Sequence, residues 1–300
     1  MATDIADTIV GFVYIAANGV ALPLYVGFLC MFAAKDPYRS STTFRIMFAL
    51  GVLECFQMLS GIQAGVMTLL DVTIHDYFEI VGGAFNCMVL FGRPLFLLIL
   101  AINRFVTITN LRCSRSLGNR IFQILVGTTV FVSVAHFAYR LTKIGKAEYS
   151  LEFDLFRPPV AVPGTLNALF RNITVYSDVA AVLLTSSIDL CIFVFVVVKR
   201  KRFLSTDFPV IFQGIVTLGH VMVVKCGSGD FYGELENRVV NVIFILWLEV
   251  MSISNPVFYL LCVRSLRSSF LEFVGLRESR KRHFRVNSVW NTSSRRPSDP

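Results

Sequence analysis

The sequence predicts an all-α bundle of seven membrane-spanning helices. Three observations support this prediction: 55% of the 300 residues are hydrophobic, only 16% are charged, and the mean hydropathy is +0.65. A soluble domain carries roughly 25% charged residues, so this chain has too few charges to cover a water-exposed surface. A soluble enzyme is therefore excluded. The net charge of +8 does not indicate nucleic-acid binding, because the basic residues lie in short loops and a tail.

Seven apolar runs are long enough to cross a bilayer, which takes about 20 residues of helix. They lack the short alternating period of a membrane β-barrel. Their predicted limits are 9–34, 44–70, 80–102, 121–141, 175–198, 208–225 and 239–262. The membrane domain then covers 1–275, with a short amphipathic helix at 264–275, and a basic tail that we expect to be disordered follows at 276–300.

Basic residues are distributed unevenly between the loops, and this predicts the orientation of the chain. They concentrate after the odd-numbered spans, for example as Lys199-Arg200-Lys201-Arg202 after the fifth. Fewer of them, among them Arg140 and Arg171, follow the even-numbered spans. Loops rich in Lys and Arg remain in the cytoplasm. The N-terminus is therefore expected outside and the C-terminus inside.

The longest connection, 142–174, contains several prolines, which predict an irregular lid on the outer side. Asn172 begins an Asn-Ile-Thr sequon there, close to the membrane, and is the candidate glycosylation site. Asn291 begins a second sequon, which should be cytoplasmic and unmodified.

Two motifs lie at the expected inner ends of spans. The seventh span ends in Ser254-Asn255-Pro256-Val257-Phe258-Tyr259, which resembles the Asn-Pro-x-x-Tyr motif of rhodopsin-like G-protein-coupled receptors. The third span ends in Ala101-Ile102-Asn103-Arg104-Phe105, which is similar to their Asp/Glu-Arg-Tyr motif. The Asn-Arg-Phe variant and Pro37-Tyr38-Arg39-Ser40-Ser41 resemble nematode serpentine chemoreceptors near classes T, X or Xa. The resemblance covers residues from about 9 to 275.

The resemblance implies a signalling role for Asn103, Arg104 and Phe105, where Arg104 would contact the G protein when the bundle opens. The alternative is a basic anchor that reaches the lipid phosphates. Asn103 replaces the usual carboxylate, so the usual ion pair between Arg104 and its neighbour cannot form. We expect a weaker restraint on the inactive state and some ligand-free activity.

The resemblance also assigns Asn255, Pro256 and Tyr259 to the activation network of the seventh span, with a simple proline kink as the alternative. Glu249 stands where opsins carry the lysine that binds retinal, so a light receptor is not expected and Glu249 becomes a ligand-pocket candidate. Amine receptors carry an aspartate in the third span at the offset that Asn86 occupies here. Asn86 is therefore a second pocket candidate, and an amine ligand is disfavoured.

Charges inside a membrane are costly and are usually paired or functional. Rhodopsin-like receptors carry a sodium-binding Asp in the second span and a facing Ser in the third. Glu54 matches the position of that Asp by its depth in the span, and Arg93 matches the position of the Ser by its offset from Arg104. We expect them to form a buried ion pair in place of the sodium site; the alternative is a separate polar partner for each. Asp178 and Asp189 in the fifth span are further pocket candidates. Asp178 is expected near the outer interface, and Asp189 faces either the sixth span or the pocket.

These features together predict a G-protein-coupled receptor of the plasma membrane, with sensory cilia as a further expected location. Its expected partners are a small environmental molecule, a heterotrimeric G protein and membrane lipid. The alternatives are a receptor for an internal peptide, a ligand-gated channel and a small transporter. No catalytic group, cofactor, metal site or nucleic-acid partner is expected, and the cysteine spacing matches no zinc site.

Overall fold

The structure is a computed structural model. It describes residues 5–73, 75–109, 115–142, 148–150, 155–157, 166–199, 257, 260 and 264–276. The spans predicted at 208–225 and 239–262 therefore lie outside the described residues, except for Val257 and Leu260. The tail beyond residue 276 also lies outside them.

The described chain is almost entirely helical. In chain order its elements are α1 (Ile5–Ala34), α2 (Asp36–Arg39), α3 (Thr42–Leu70), α4 (Asp76–Thr109), α5 (Arg115–Arg140), β1 (Glu148–Ser150), β2 (Leu155–Arg157), α6 (Leu166–Lys199) and α7 (Arg264–Phe273). Among the described residues, five helices are long and apolar enough to cross a membrane. Their membrane-length segments are Asp7–Ala34, Thr42–Leu70, Asp76–Thr109, Gly118–Arg140 and Ala168–Phe195.

Two elements differ from the expectation. Helix α6 begins at Leu166, well before the predicted start of the fifth span at residue 175. Hydropathy locates the apolar stretch, whereas a helix continues through flanking polar residues as long as its backbone hydrogen bonds are made. The lid at 142–174 is also not wholly irregular: β1 and β2 form an antiparallel hairpin with Tyr149 opposite Phe156.

Helix α4 lies at the centre of the described bundle. It packs against α3, α5 and α6, while α1 packs along the other side of α3. The core between α3, α4 and α5 contains Ile46, Leu50, Met88, Phe96 and Leu100, all of them buried. The remaining faces of α1, α5 and α6 expose apolar side chains, which is the arrangement that a surrounding lipid bilayer favours.

The crossing of α1 and α3 depends on two glycines. A Cβ atom added to Gly65 would lie 2.8 Å from the carbonyl oxygen of Gly11, and one added to Gly11 would lie 2.9 Å from the carbonyl oxygen of Gly65. Small residues let transmembrane backbones approach this closely, and dispersion contacts between the helices then hold them together.

The bundle has two distinct ends. Helix α2, the start of α3, the last turns of α4 and helix α7 belong to one end, which we call the Arg104 end. The start of α4, the end of α5 and the β-hairpin belong to the other, which we call the hairpin end. The chain therefore separates a site near the third-span motif from a site beneath the hairpin.

Candidate functional site

The motif at the end of α4 divides its side chains between two neighbouring helices. Asn103 is 6% exposed, and its Nδ2 donates a 2.7 Å hydrogen bond to Oγ1 of Thr43 on α3. Phe105 is half-buried and packs against Ile192 of α6. Arg104, which stands between Asn103 and Phe105 in the sequence, is half-buried. The residue beside Arg104 is thus held by α3, while the next residue faces α6.

Asp189 lies at the Arg104 end. It sits on α6 next to Ile188 and one turn before Ile192, and its carboxylate lies within the electrostatic reach of the Arg104 guanidinium. Asp189 thus lies near Arg104, and not at the level of Asn86 and Asp178, which are nearer the hairpin end.

Glu54 and Arg93 meet in the interior of the bundle. Arg93 Nε lies 3.1 Å from Glu54 Oε1, and the two side chains are 10% and 0% exposed. Taking two charges out of water costs several kcal/mol per ion, and only a close and well-supported pair offsets that cost. The contact therefore links α3 to α4 midway between the two ends, with each charge depending on the other.

The fifth-span carboxylate nearest this level is Asp178, which is only 3% exposed. It occupies the buried stripe of α6 together with Ala181, Val182 and Thr185. Helix α6 continues three turns beyond Asp178 to Leu166, and the position of Asp178 near the outer interface stays a prediction. Asn86 is half-buried on α4, two turns nearer the hairpin end than Arg93.

Stacked aromatic rings from four helices lie between the ion pair and the hairpin end. Phe85 of α4 lies between Phe56 of α3, at a centroid distance of 4.7 Å, and Phe137 of α5, at 4.9 Å. On the other side of α5, Tyr139 stacks on Phe170 of α6 at 4.3 Å. We call these five residues the aromatic layer. It joins four of the membrane-spanning helices at the end opposite Arg104.

Two polar residues beside the aromatic layer have roles that the sequence did not reveal. Arg140, counted above among the loop bases, is 5% exposed at the end of α5, so that assignment is corrected. Its Nε donates a 3.3 Å hydrogen bond to Nε2 of His136, and its guanidinium lies 5.8 Å from the centre of the Tyr139 ring. His136 in turn stacks on Phe91 at 5.1 Å. Its spacing of four from Arg140 is the only sequence signal for this contact.

Helix α7 docks on α1 and α2 at the Arg104 end. Phe270 stacks on Phe28 with a centroid distance of 4.3 Å, and Leu266 is buried beside them. Tyr38 OH donates a 2.7 Å hydrogen bond to Ser269 Oγ. Burial raises the pKa of Tyr38 above its ordinary value of 10.0; the hydrogen bond with Ser269 opposes this shift, and the charge of Glu272 adds to it.

A salt bridge completes this contact. Lys35 Nζ lies 3.3 Å from Glu272 Oε2 and donates a 3.1 Å hydrogen bond to the carbonyl oxygen of Ser269. Lys35 therefore interacts with a side chain and with the backbone near the C-terminal end of α7, where a positive charge is favoured by the helix dipole.

Several predicted site residues fall elsewhere. Asn255, Pro256, Tyr259 and Glu249 lie outside the described residues, so their roles stay predictions. Asn172 is exposed but lies within helix α6, inside the segment long enough to span the membrane, and not in a loop. Its role as a glycosylation site also stays a prediction.

The sequence matches the family of serpentine-type seven-transmembrane G-protein-coupled chemoreceptors Srt over residues 2–283. The chain belongs to this family. The comparison with curated proteins found no match. This Srt-family protein is a multi-pass membrane receptor with the seven-helix fold that the sequence predicts, and α7 is the short amphipathic helix that follows the seventh span.

Membership also establishes the general activity of this Srt-family receptor. It is a chemosensory receptor of the G-protein-coupled class, in which ligand binding is transmitted to a G protein. The family is one of receptors and not of enzymes. The prediction of a nematode serpentine chemoreceptor is therefore confirmed, and class T is the class that the match supports.

Proposed function

We propose that this receptor detects a small, apolar or amphipathic environmental molecule at the hairpin end and activates a heterotrimeric G protein at the Arg104 end. The aromatic layer is the observation that carries this proposal. It places rings from four helices next to a buried cation, Arg140, on the side of the bundle opposite the third-span motif. Ligand pockets are mostly lined by such apolar and aromatic side chains, with a few polar groups that fix orientation.

The layer is suited to transmit binding because its rings belong to different helices. A ligand that contacts Phe85 or displaces it from Phe56 and Phe137 changes the spacing of α3, α4 and α5 at once. Such a ligand shifts a pre-existing equilibrium between two bundle arrangements by as much as its affinities for them differ.

The Glu54–Arg93 pair is the proposed link between the ends. It joins α3 to α4 on the side of the aromatic layer that faces Arg104, at the depth where rhodopsin-like receptors carry a sodium site. The guanidinium serves as a tethered cation, so the receptor does not depend on a free ion at this point. Polar contacts in a low-dielectric interior are strong and directional. The pair therefore favours two discrete arrangements of α3 and α4 over a continuous range of helix positions.

The location and orientation follow from the charge distribution. We propose a plasma-membrane receptor with an extracellular N-terminus and a cytoplasmic C-terminus, found in sensory cilia. Helix α7 then lies along the inner leaflet, where the exposed Arg267 meets anionic lipid headgroups.

The ligand site can be tested with the full-length receptor in cells that carry a G-protein dissociation sensor. A panel of small odorants and extracts of nematode culture medium supplies the probes. We expect Phe85→Ala to raise the half-maximal concentration of an active probe at least about tenfold, equivalent to about 1.4 kcal/mol. Phe131→Ala is the matched control, because that ring is 73% exposed on the outer face of α5. Equal shifts for both variants at equal surface expression would contradict the proposed site.

The sensory role can be tested by the position of a fluorescently tagged receptor in the animal. Ciliated endings of sensory neurons are the expected location. Exclusive expression in muscle or gut would contradict detection of an environmental molecule and would point to an internal ligand, with the receptor fold unaffected.

A further inference from the structure

We propose that Asp189 of α6 is the positioning residue that restrains Arg104, in place of the carboxylate that the third-span motif lacks. The argument starts from Asn103. This side chain points to α3, where it donates to Thr43, and it carries no charge. Asn103 therefore does not supply the negative charge that the related motif places beside its arginine. The proposal rests on the proposed coupling of the Arg104 end to a G protein.

Helices α4 and α6 run in the same direction with a constant register. At the Arg104 end, Phe105 and Ile108 of α4 pack against Ile192 of α6. At the hairpin end, Phe85 of α4 stacks on Phe137 of α5. Two residues further along α5, Tyr139 stacks on Phe170 of α6, so the start of α6 lies level with that part of α4. The two helices thus remain side by side over most of their length.

The charged residues follow this register. Arg93 and Arg104 are 11 positions apart on α4, and Asp178 and Asp189 are 11 positions apart on α6. Eleven residues make three helical turns with a rotation of about 20°, so each pair lies on one face of its helix. Because Asp178 lies on the buried stripe of α6, Asp189 lies on the side of α6 that faces the bundle.

Packing and charge agree on the partner. Ile192, one turn after Asp189, contacts Phe105 and Ile108, which follow Arg104 on α4. Asp189 and Arg104 carry opposite charges on these adjacent segments and lie within electrostatic range of each other. Both side chains are only partly exposed, so solvent screens their attraction less than it screens a surface pair.

This arrangement changes what restrains the inactive receptor. The carboxylate comes from the fifth span and not from the residue beside the arginine. Movement of α6 away from α4 separates the pair and releases Arg104 toward the G protein. Relative motion of these two helices is therefore coupled to signalling.

The first test measures ligand-free signalling of the full-length receptor, divided by its amount at the cell surface. We expect Asp189→Asn to raise this signal at least about fivefold, the lower end of common allosteric couplings. Asp189→Glu keeps the carboxylate and should stay near wild type. Asp36→Asn is the matched control, because it removes an exposed aspartate from the same end. A wild-type signal from Asp189→Asn at normal surface amounts overturns the proposal.

A charge exchange tests the contact without any signalling readout. We expect Arg104→Asp and Asp189→Arg each to lower the amount of receptor at the cell surface, and the double variant to restore it. Full surface amounts for both single variants, or no recovery in the double variant, overturn the proposal. If no variant and no probe changes the G-protein signal, the proposed coupling fails, while the exchange still decides whether the two residues interact.

Discussion

At the scale of single residues, the energetics of this receptor are governed by a few charges in an apolar bundle. Arg93 Nε lies 3.1 Å from Glu54 Oε1, and Asn103 Nδ2 donates a 2.7 Å hydrogen bond to Thr43 Oγ1. Each contact replaces hydration that the interior does not supply. Losing one member therefore costs more than the contact itself contributes, because the remaining member stays buried.

The Glu54–Arg93 pair provides the first prediction. We expect Glu54→Gln and Arg93→Gln each to destabilise the receptor by about 3–5 kcal/mol, because each leaves a charge buried in the interior. The exchange Glu54→Arg with Arg93→Glu should recover much of that loss. The measurement is the thermal unfolding midpoint of the detergent-solubilised receptor, together with its surface amount. Normal stability of both single variants would contradict an interdependent pair.

Tyr38 provides a prediction about pH. Its raised pKa favours the neutral phenol, which donates to Ser269. The stabilisation is fully present below the ordinary value of 10.0 and is lost as the pH rises through the higher folded-state pKa. Docking of α7 should thus be constant from about pH 6 to about pH 9 and weaken at higher pH.

The measurement is the mobility of a spin label at Phe273, which is exposed on α7. Tyr38→Phe should weaken docking by about 1 kcal/mol throughout that pH range. Above that pH range, docking of α7 in the variant should lack the part of the weakening that ionisation of Tyr38 causes in the wild type. A loss of docking in the wild type between pH 6 and 9 would exclude Tyr38 as the titrating group.

At the scale of the elements, helix contacts are set by close approach as much as by apolar area. Gly65 and Gly11 allow α1 to approach α3, and Gly92 lies where a Cβ would be 2.6 Å from Ser133 Oγ on α5. Helix α7 is attached differently, through Phe270, Tyr38 and a salt bridge. The bundle thus combines backbone approach within the membrane with side-chain contacts at its Arg104 end.

The α1–α3 crossing gives a paired prediction. A methyl group at Gly65 would meet the backbone of Gly11, which cannot rotate away, so Gly65→Ala should destabilise the receptor by about 1–3 kcal/mol. Gly19→Ala is the control on the same helix pair, because no atom lies within 4 Å of its added Cβ. It should stabilise the receptor by about 0.5–1 kcal/mol, since alanine loses less conformational entropy in a helix. Unfolding midpoints that move in the same direction would contradict this account.

At the scale of the whole molecule, the receptor has two different ends joined by a charged interior. The hairpin end carries the aromatic layer and the buried Arg140, and the other carries Arg104, Asp189 and α7. The proposed function assigns ligand binding to the first and G-protein coupling to the second. That assignment requires a defined orientation in the membrane.

Orientation is tested by glycosylation. A sequon tag placed before Ile5 should acquire a glycan, whereas the natural sequon at Asn291 should not, because the positive-inside rule places the C-terminus in the cytoplasm. The measurement is the change in gel mobility on enzymatic removal of glycans, with Asn291→Gln as the control. A glycan that disappears with Asn291→Gln would invert the proposed orientation.

Much of this receptor can be predicted from its sequence because the bilayer imposes a strict length on apolar segments. Composition and run length indicate an all-α membrane bundle, and the third- and seventh-span motifs indicate the family that the match over residues 2–283 establishes. The depth of a residue in its span can also be predicted from the sequence, since each residue of a helix adds a fixed rise. That reading predicted a contact between Glu54 and Arg93, which lie 3.1 Å apart in the structure.

Only the tertiary structure decided which helix faces reach each other. The sequence placed Asp189 at a depth but left its facing side open, whereas the packing of Ile192 on Phe105 and Ile108 shows which side of α6 meets α4 near Arg104. The sequence also placed Arg140 among the loop bases, whereas in the structure its side chain is buried and donates to His136. Apolar residues surround these spans on nearly all sides, so the pattern does not define the rotation of each helix. Contacts between distant parts of the chain supply that rotation, and they exist only in the folded bundle.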